Sequence, residues 1–434
     1  MRNPQERTLA VGLQLTGRAH EKAADAEESL SELVLLAESA GAEVIEKSLQ
    51  ARPAPDPATL VGSGKVAEIR QRIEADEIQT VVFDRDLSPT QLRNLERRLP
   101  VKILDRTQLI LDIFARRART AEGQLQVELA QLNYLLPRLA GRGTQMSRLG
   151  GGIGTRGPGE TQLETDRRRI GRRIAKLKAE IGHVRATRGV QRSHRQAIPL
   201  STVGLAGYTN AGKSTLFNRL TGAGVLADAR MFATLDPTVR QMRLPSGRRV
   251  LLSDTVGFIR NLPTTLIDAF RATLEEVTTA ALLLHVVDVT SPAAAEHAAH
   301  VRKVLAEIGA ERTPQILVLN KSDLLPEPDR LQSPELLAHR LLGQKAAPAV
   351  LISAQTGAGI PALLEAIDSQ LKQDPVARQH FRLPPGEGRA LHLLYDRAAI
   401  LSKHYKDGYC EVVADAPLSI RNSLAEFAVQ NPEC

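Results

Sequence analysis

Residues 207–214 read Gly207-Tyr208-Thr209-Asn210-Ala211-Gly212-Lys213-Ser214, with Thr215 next. The pattern G-x-x-x-x-G-K-[ST] carries a mechanism when it follows an apolar strand and opens a helix. The run Leu200–Ala206 supplies that strand. Glycine lets successive backbone N–H groups turn inward around phosphate oxygens. The helix N-terminus adds partial positive charge. Lys213 reaches the β and γ oxygens, and the Ser214 hydroxyl is a Mg²⁺ ligand. The stretch predicts a doubly wound, mostly parallel α/β sheet with a phosphate loop after its first strand.

Three further motifs follow in order at strand ends. Asp254-Thr255-Val256-Gly257 closes Val250–Asp254, 41 residues beyond Lys213. Asp254 can hold Mg²⁺ through water, and the Gly257 N–H can meet a γ-phosphate. Asn320-Lys321-Ser322-Asp323 follows the strand Ile316–Asn320. A carboxylate at Asp323 accepts from both N1–H and the 2-amino group of guanine, donors that adenine lacks. Such a missing partner can be worth ~10⁴-fold in discrimination. The Lys321 stem can pack on the base. Ser353-Ala354-Gln355 closes Ala349–Ser353, where the Ala354 backbone can reach the guanine carbonyl. Between Lys213 and Asp254 lies Phe232-Ala233-Thr234-Leu235-Asp236-Pro237-Thr238, a polar stretch placed where a switch loop belongs. Thr234 is the second Mg²⁺ ligand in this reading, with Thr238 as its rival. Ligands of such sheets bind at the carboxyl ends of strands. GTP with Mg²⁺ is the ligand these motifs predict.

Around this core the chain has 434 residues, 42% hydrophobic and 24% charged, with 3% aromatics and no Trp. Whole-chain disorder is excluded on that composition. Two cysteines, Cys410 and Cys434, make neither a disulfide framework nor a metal site. The N-terminus has no signal-peptide core. The best apolar run, Ala280–Val287, falls far short of the ~20 residues of a membrane span. The expectation is a reducing, cytoplasmic, soluble monomer, with peripheral membrane association left open.

The formal net charge is +8, and it is localised. Arg138–Arg195 holds 15 Lys and Arg against four acids, while the rest of the chain holds 42 against 45. That layout is the footprint of a polyanion-binding segment. Within it, Leu125, Leu129, Leu132, Leu136 and Leu139, and then Ile170, Ile174, Leu177, Ile181 and Val184, step by four and three, as in a two-helix seam. Between them, Gly141–Gly159 has eight glycines in 19 residues together with Arg142, Arg148 and Arg156.

Four domains are expected. Residues 1–112 alternate strand and helix as a small parallel sheet, with the run Gly62-Ser63-Gly64-Lys65 read as a plain turn before a helix. Residues 113–197 are a basic helical hairpin, 198–373 the nucleotide domain, and 374–434 a small α+β domain. In the last, Ala390–Leu394 and Cys410–Ala414 read as strands and Ser419–Val429 as a helix.

The set G-Y-T-N-A-G-K-S, F-A-T-L-D, D-T-V-G, N-K-S-D and S-A-Q, with the glycine-rich run Gly150–Arg168, resembles the HflX family of translation-factor-related GTPases. The resemblance is weakest over 374–434. It implies GTP bound by Gly207–Ser214, Phe232–Asp236, Asp254–Gly257, Asn320–Asp323 and Ser353–Gln355. Mg²⁺ would be held by Ser214 and Thr234. Lys213, Thr234 and Gly257 are the candidate catalytic residues. It also implies a partner, the large ribosomal subunit with its RNA, and the splitting of stalled or idle ribosomes under stress. A GTPase of tRNA modification or ribosome assembly, and a signalling GTPase with a protein effector, are the alternatives.

Phe258 stands where Ras-like GTPases carry the water-orienting Gln. A slow intrinsic GTPase is expected from that. Asn210 occupies a place that helps bind K⁺ in some related GTPases. Arg230, Arg240 and Arg260 lie near the switches without the spacing that would make any of them an arginine finger. Glu296-His297-Ala298-Ala299-His300 reads as a solvated helix face rather than a metal motif.

Overall fold

The computed structural model describes residues 5–17, 23–139, 158–196, 201–222, 231–232, 238–260, 277–343, 348–371, 376–406 and 408–429. The N-terminal part runs β1 (Arg7–Leu15), α1 (Ala23–Ser39), β2 (Glu43–Arg52), α2 (Ser63–Ala75), β3 (Thr80–Phe83), α3 (Pro89–Arg98), β4 (Lys102–Asp105) and α4 (Arg106–Arg117). Its four strands are parallel in the order β2-β1-β3-β4. Alternation along β1 explains the two covered faces. Leu9, Val11 and Leu13 join α2 and α3 in one core, while Ala10 joins α1 and α4 in another. Ser88 closes a capping box with Gln91 and places Pro89 in the first turn of α3.

The expected boundary at 112 falls inside α4, which continues to Arg117. Asp105 caps this helix by accepting from the Gln108 N–H at 2.9 Å. Its buried Leu109, Ile110, Ile113 and Phe114 give it a helical apolar face.

Two long helices follow, α5 (Ala121–Leu139) and α6 (Pro158–Gln196), so Pro158 and Gly159 of the glycine-rich run already belong to α6. Residues 140–157 lie outside the described residues. Ile174, Leu177 and Ile181 of α6 are buried, as its spacing predicted. The leucine stripe of α5 is only part-buried, apart from exposed Leu135 beside it. The face that α5 buries fully is Gln126, Val127, Ala130 and Tyr134. The reason is that α5 has neighbours on two sides, α4 and α6, so one stripe cannot describe its packing. Arg173 of α6 forks onto Glu128 of α5 with two contacts of 2.6 Å.

The nucleotide domain contains β5 (Thr202–Gly207), α7 (Lys213–Thr221), β6 (Thr238–Arg243), β7 (Arg249–Asp254), β8 (Leu282–Asp288), α8 (Ala294–Glu307), β9 (Gln315–Asn320), α9 (Pro334–Leu342), β10 (Ala349–Leu351) and α10 (Ile360–Gln370). The strand order is β10-β9-β8-β5-β7-β6, parallel except for the edge strand β6, which runs antiparallel to β7. Thr238 therefore begins a strand opposite Asp254, rather than lying in a loop.

The last part has β11 (Val376–Leu383), α11 (Gly388–Arg397), β12 (Ala399–Lys406), β13 (Tyr409–Pro417), α12 (Leu418–Ser423) and β14 (Ala428–Val429). They form an antiparallel sheet of order β12-β13-β11-β14. Ala390–Leu394 is helical here, not a strand. Ala390 and Leu394 are one turn apart and both buried, a spacing that suits a helix and that a five-residue apolar run cannot declare. The expected final helix over Ser419–Val429 is shorter, because a 3₁₀ turn and β14 take Ala425–Val429.

One core crosses from the N-terminal part into the nucleotide domain. Leu33, Leu36, Ile110 and Phe114 share it with Tyr208, Met231, Phe232, Val256 and Phe258. The outer faces of α1 and α4 thus lie against the phosphate loop and the chain that follows Asp254.

Candidate functional site

The phosphate loop forms as β5 ends. Gly207 is its last strand residue, and Gly212 turns left-handed, φ +93°, to start α7 at Lys213. Lys213 is buried, and its Nζ donates to the carbonyls of Gly207 and Tyr208 at 3.0 and 2.7 Å. Burial pushes its pKa down to about 8, against the pull of Asp254. The Ser214 hydroxyl donates to Asp254 Oδ2 at 2.9 Å, so two hard oxygen groups meet at the mouth of the loop. Thr215 continues α7, and Ala211 is buried beneath the loop.

The D-T-V-G segment lies on this loop. Phe258 donates its N–H to Gly207 O at 3.1 Å and accepts from the Thr209 N–H at 2.7 Å. A Cβ at Gly257 would lie 2.9 Å from Thr209 Cγ2 and 3.0 Å from Lys213 Nζ, so only glycine fits this approach. Thr255 is a buttress, its hydroxyl donating to Leu205 O at 2.6 Å, and Val256 is core. Phe258 is buried as well, a hydrophobic wall rather than a water-binding group.

Asn320 ties two loops together. Its Nδ2 donates to Ala211 O at 2.8 Å, and its Oδ1 accepts the Ala354 N–H at 2.9 Å. That amide, assigned by the sequence to a base carbonyl, is engaged with Asn320 in this structure. Lys321 takes φ +68° and pairs with Asp288 Oδ2 at 2.6 Å. Ser322 donates its N–H to Ile352 O at 3.0 Å, which brings half-buried Asp323 to the same rim. Ser353 is buried, with its hydroxyl accepting the Thr356 N–H at 3.1 Å. Exposed Gln355 is held by its carbonyl to Arg219. The four motifs therefore converge at one end of the sheet.

Two expectations read differently in the structure. Phe232 takes φ +58° and turns its ring into the core, edge-on to Phe114 at 4.6 Å between centroids. Ala233, Thr234, Leu235 and Asp236 lie outside the described residues, and so does Arg230. His297 and His300 are not a solvated pair. His297 stacks on Tyr208 at 3.8 Å, and burial, aided by Arg260, pushes its pKa down to about 4. Its contact with Glu28 at 3.6 Å is therefore made by a neutral ring at pH 7.

Sequence reasoning missed the groups behind the loop. The Tyr208 hydroxyl donates to Glu32 Oε1 of α1 at 2.6 Å and accepts the Arg260 N–H at 2.8 Å. Glu32 also holds Arg106, which is 1% exposed and bound to Asp84 Oδ1 at 2.7 Å. Burial would lower the Arg106 pKa, but Glu32 and Asp84 outweigh it and raise it. The Arg260 guanidinium is held by Glu28 and Glu296. A charged arginine opening the apolar run 106–114 was the available signal. Glu28, Glu32, Tyr208 and Arg260 border a cleft of about 190 Å³ that also takes in Thr209, Asn210 and Asp288. Asn210 is exposed, at φ +61°.

A parallel sheet with G-x-x-x-x-G-K-S, D-T-V-G and N-K-S-D at adjacent strand ends defines a P-loop GTPase. The family profiles and the sequence relatives agree. Residues 27–115 and 117–195 match family profiles described as the N-terminal and middle regions of a GTP-binding GTPase, and 202–321 match the 50S ribosome-binding GTPase family. GTPase HflX of Caldanaerobacter subterraneus subsp. tengcongensis is 46% identical, covering 93% of this chain and 91% of its own. GTPase HflX of Escherichia coli is 48% identical, covering 86% of each chain. Among solved structures, a GTP-binding protein of Sulfolobus solfataricus in complex with GDP is 26% identical over 84% of this chain and 98% of its own, with a TM-score of 0.44. The chain belongs to the HflX family of GTPases. No helix among the described residues is long and apolar enough to cross a membrane.

Proposed function

We propose that this GTPase is a Mg²⁺-dependent switch that binds the large ribosomal subunit and splits stalled or idle ribosomes. The observation that carries the reading is the juxtaposition of a nucleotide loop with an arginine-lined helix in one chain. On α6, Arg167, Arg168, Arg169 and Arg172 are exposed, while Ile174 and Leu177 face inward. An exposed cationic face on a helix already anchored by its other side suits phosphate contact. The match of residues 202–321 to a 50S ribosome-binding GTPase family supports the same partner.

GTP would be held by Gly207–Ser214, Phe232–Asp236, Asp254–Gly257, Asn320–Asp323 and Ser353–Gln355. Asp323 would read the base. Ser214 and Thr234 would hold Mg²⁺, with Asp254 behind them. The oxygen donors Ser214 and Asp254, 2.9 Å apart, fit a hard cation. Mg²⁺, when bound, neutralises charge on the β- and γ-phosphates. The triphosphate state would order the switch segments and hold the protein on the ribosome, and hydrolysis would release it.

Sedimentation tests this. A non-hydrolysable GTP analogue should carry the protein into the large-subunit fraction, and high salt should remove it. Loss of light scattering from intact ribosomes with GTP would mark splitting. Binding without loss of scattering would favour a role in ribosome assembly.

A further inference from the structure

Tyr208 belongs to the phosphate loop, yet its phenol points away from it. The ring is 6% exposed and stacks on His297 with an interplanar angle of 13°. Its hydroxyl is the last side-chain member of an unbroken run of hydrogen bonds, from Asp84 through Arg106, Glu32 and Tyr208 to the backbone N–H of Arg260. Because the Tyr208 proton is given to Glu32, its oxygen faces Arg260 only as an acceptor. Arg260 follows Gly257 by three residues. Thr209 and Gly207 clamp the chain at Phe258, and Tyr208 clamps it at Arg260.

We propose that Tyr208 is a positioning residue for GTP hydrolysis, through which Glu32 of the N-terminal part sets the backbone that follows D-T-V-G. The buried Phe258 ring offers an attacking water no hydrogen bond, so water placement falls to the backbone of this segment. Positioning supplies much of the catalysis in phosphoryl transfer. Losing the bond to the Arg260 N–H loosens this end of the segment, which the Arg260 side chain still ties to Glu28 and Glu296, and places that water less well, while the groups that grip the phosphates and base stay as they were.

The test uses the full chain without ribosomes. Tyr208→Phe keeps the stack on His297 and removes only the hydroxyl. We expect kcat to fall about three- to tenfold, the effect of removing one hydrogen bond. KM for GTP and the affinity for GDP should stay within about twofold, as should be expected when Lys213 and Asp323 are untouched. Glu32→Gln should lower kcat in the same direction, and the double variant should be no slower than the slower single one, because both act through one bond. An unchanged kcat in Tyr208→Phe overturns the proposal. So does a parallel loss of GDP affinity and thermal stability, which would make Tyr208 merely a support of the loop, and so do losses that multiply in the double variant.

Discussion

Gly212 lies directly beneath the side-chain amide of Asn320, so close that a Cβ at Gly212 would fall 2.2 Å from Asn320 Nδ2. The same amide holds Ala211 O. The left-handed turn of the phosphate loop is thus packed against the residue that opens the N-K-S-D motif. Gly212→Ala combines an unfavourable φ of +93° with this collision. We expect nucleotide affinity to fall by more than about tenfold, on the scale of one strained residue plus a displaced hydrogen bond. Titration with a fluorescent GDP analogue measures it.

Asp323 gives the second expectation. Asp323→Asn places an amide donor where guanine presents its own donors. GTP affinity should fall ~10²–10⁴-fold, the range for an unpaired group in a built polar site. Calorimetry with GTP and ATP checks this, and an unchanged preference would remove Asp323 from base reading.

The cationic face of α6 can be tested without disturbing its seam. Arg173 is committed to Glu128 and should be left in place. Neutralising Arg167, Arg169 and Arg172 should weaken binding to large subunits. It should also flatten the salt dependence by about 0.7–0.9 for each phosphate that no longer meets an arginine. Ribosome-free GTP hydrolysis should not change. Pelleting across a salt series separates the two effects, and an unaltered slope would point to a protein effector.

His285 should make the fold acid-sensitive. It is buried in β8 with Nε2 lacking a hydrogen-bond partner among the described residues, and burial pushes its pKa down from 6.5 to about 4. The unfolded chain then binds the extra proton more readily, so the stability present above pH 6.5 is lost as pH falls through 4. The shift corresponds to about 3 kcal/mol by pH 4. Melting temperatures between pH 7 and 4 should fall more steeply for the wild type than for His285→Leu.

Phe258→Ala should act on stability first. Its ring is 2% exposed in the core shared with α1 and α4, and such truncations cost about 3–5 kcal/mol. Chemical denaturation measures it.

Much of this was legible because the decisive features are local. The Ser88-to-Gln91 box and Pro89 announce α3 within four residues, and the run Leu282–Asp288 declares a strand buried on both faces. What escaped was non-local or ambiguous over a short span. Ala390–Leu394 fits either period, and the leucines of α5 say nothing of a second neighbour at Val127 and Ala130. The histidines of α8 looked solvated because the ring that covers His297 is 89 positions away in the chain.

The amino-acid sequence by itself determined the phosphate loop, the order of motifs along the sheet and the basic helix, since each rests on residue type and spacing. Only the tertiary structure decided that Tyr208 faces Glu32, that Arg260 is anchored on Glu28 and Glu296, and that Asn320 bridges two loops. Those bonds join residues 34 to 232 positions apart, and no periodicity along a chain encodes a partner chosen by how two packed domains bury their charges.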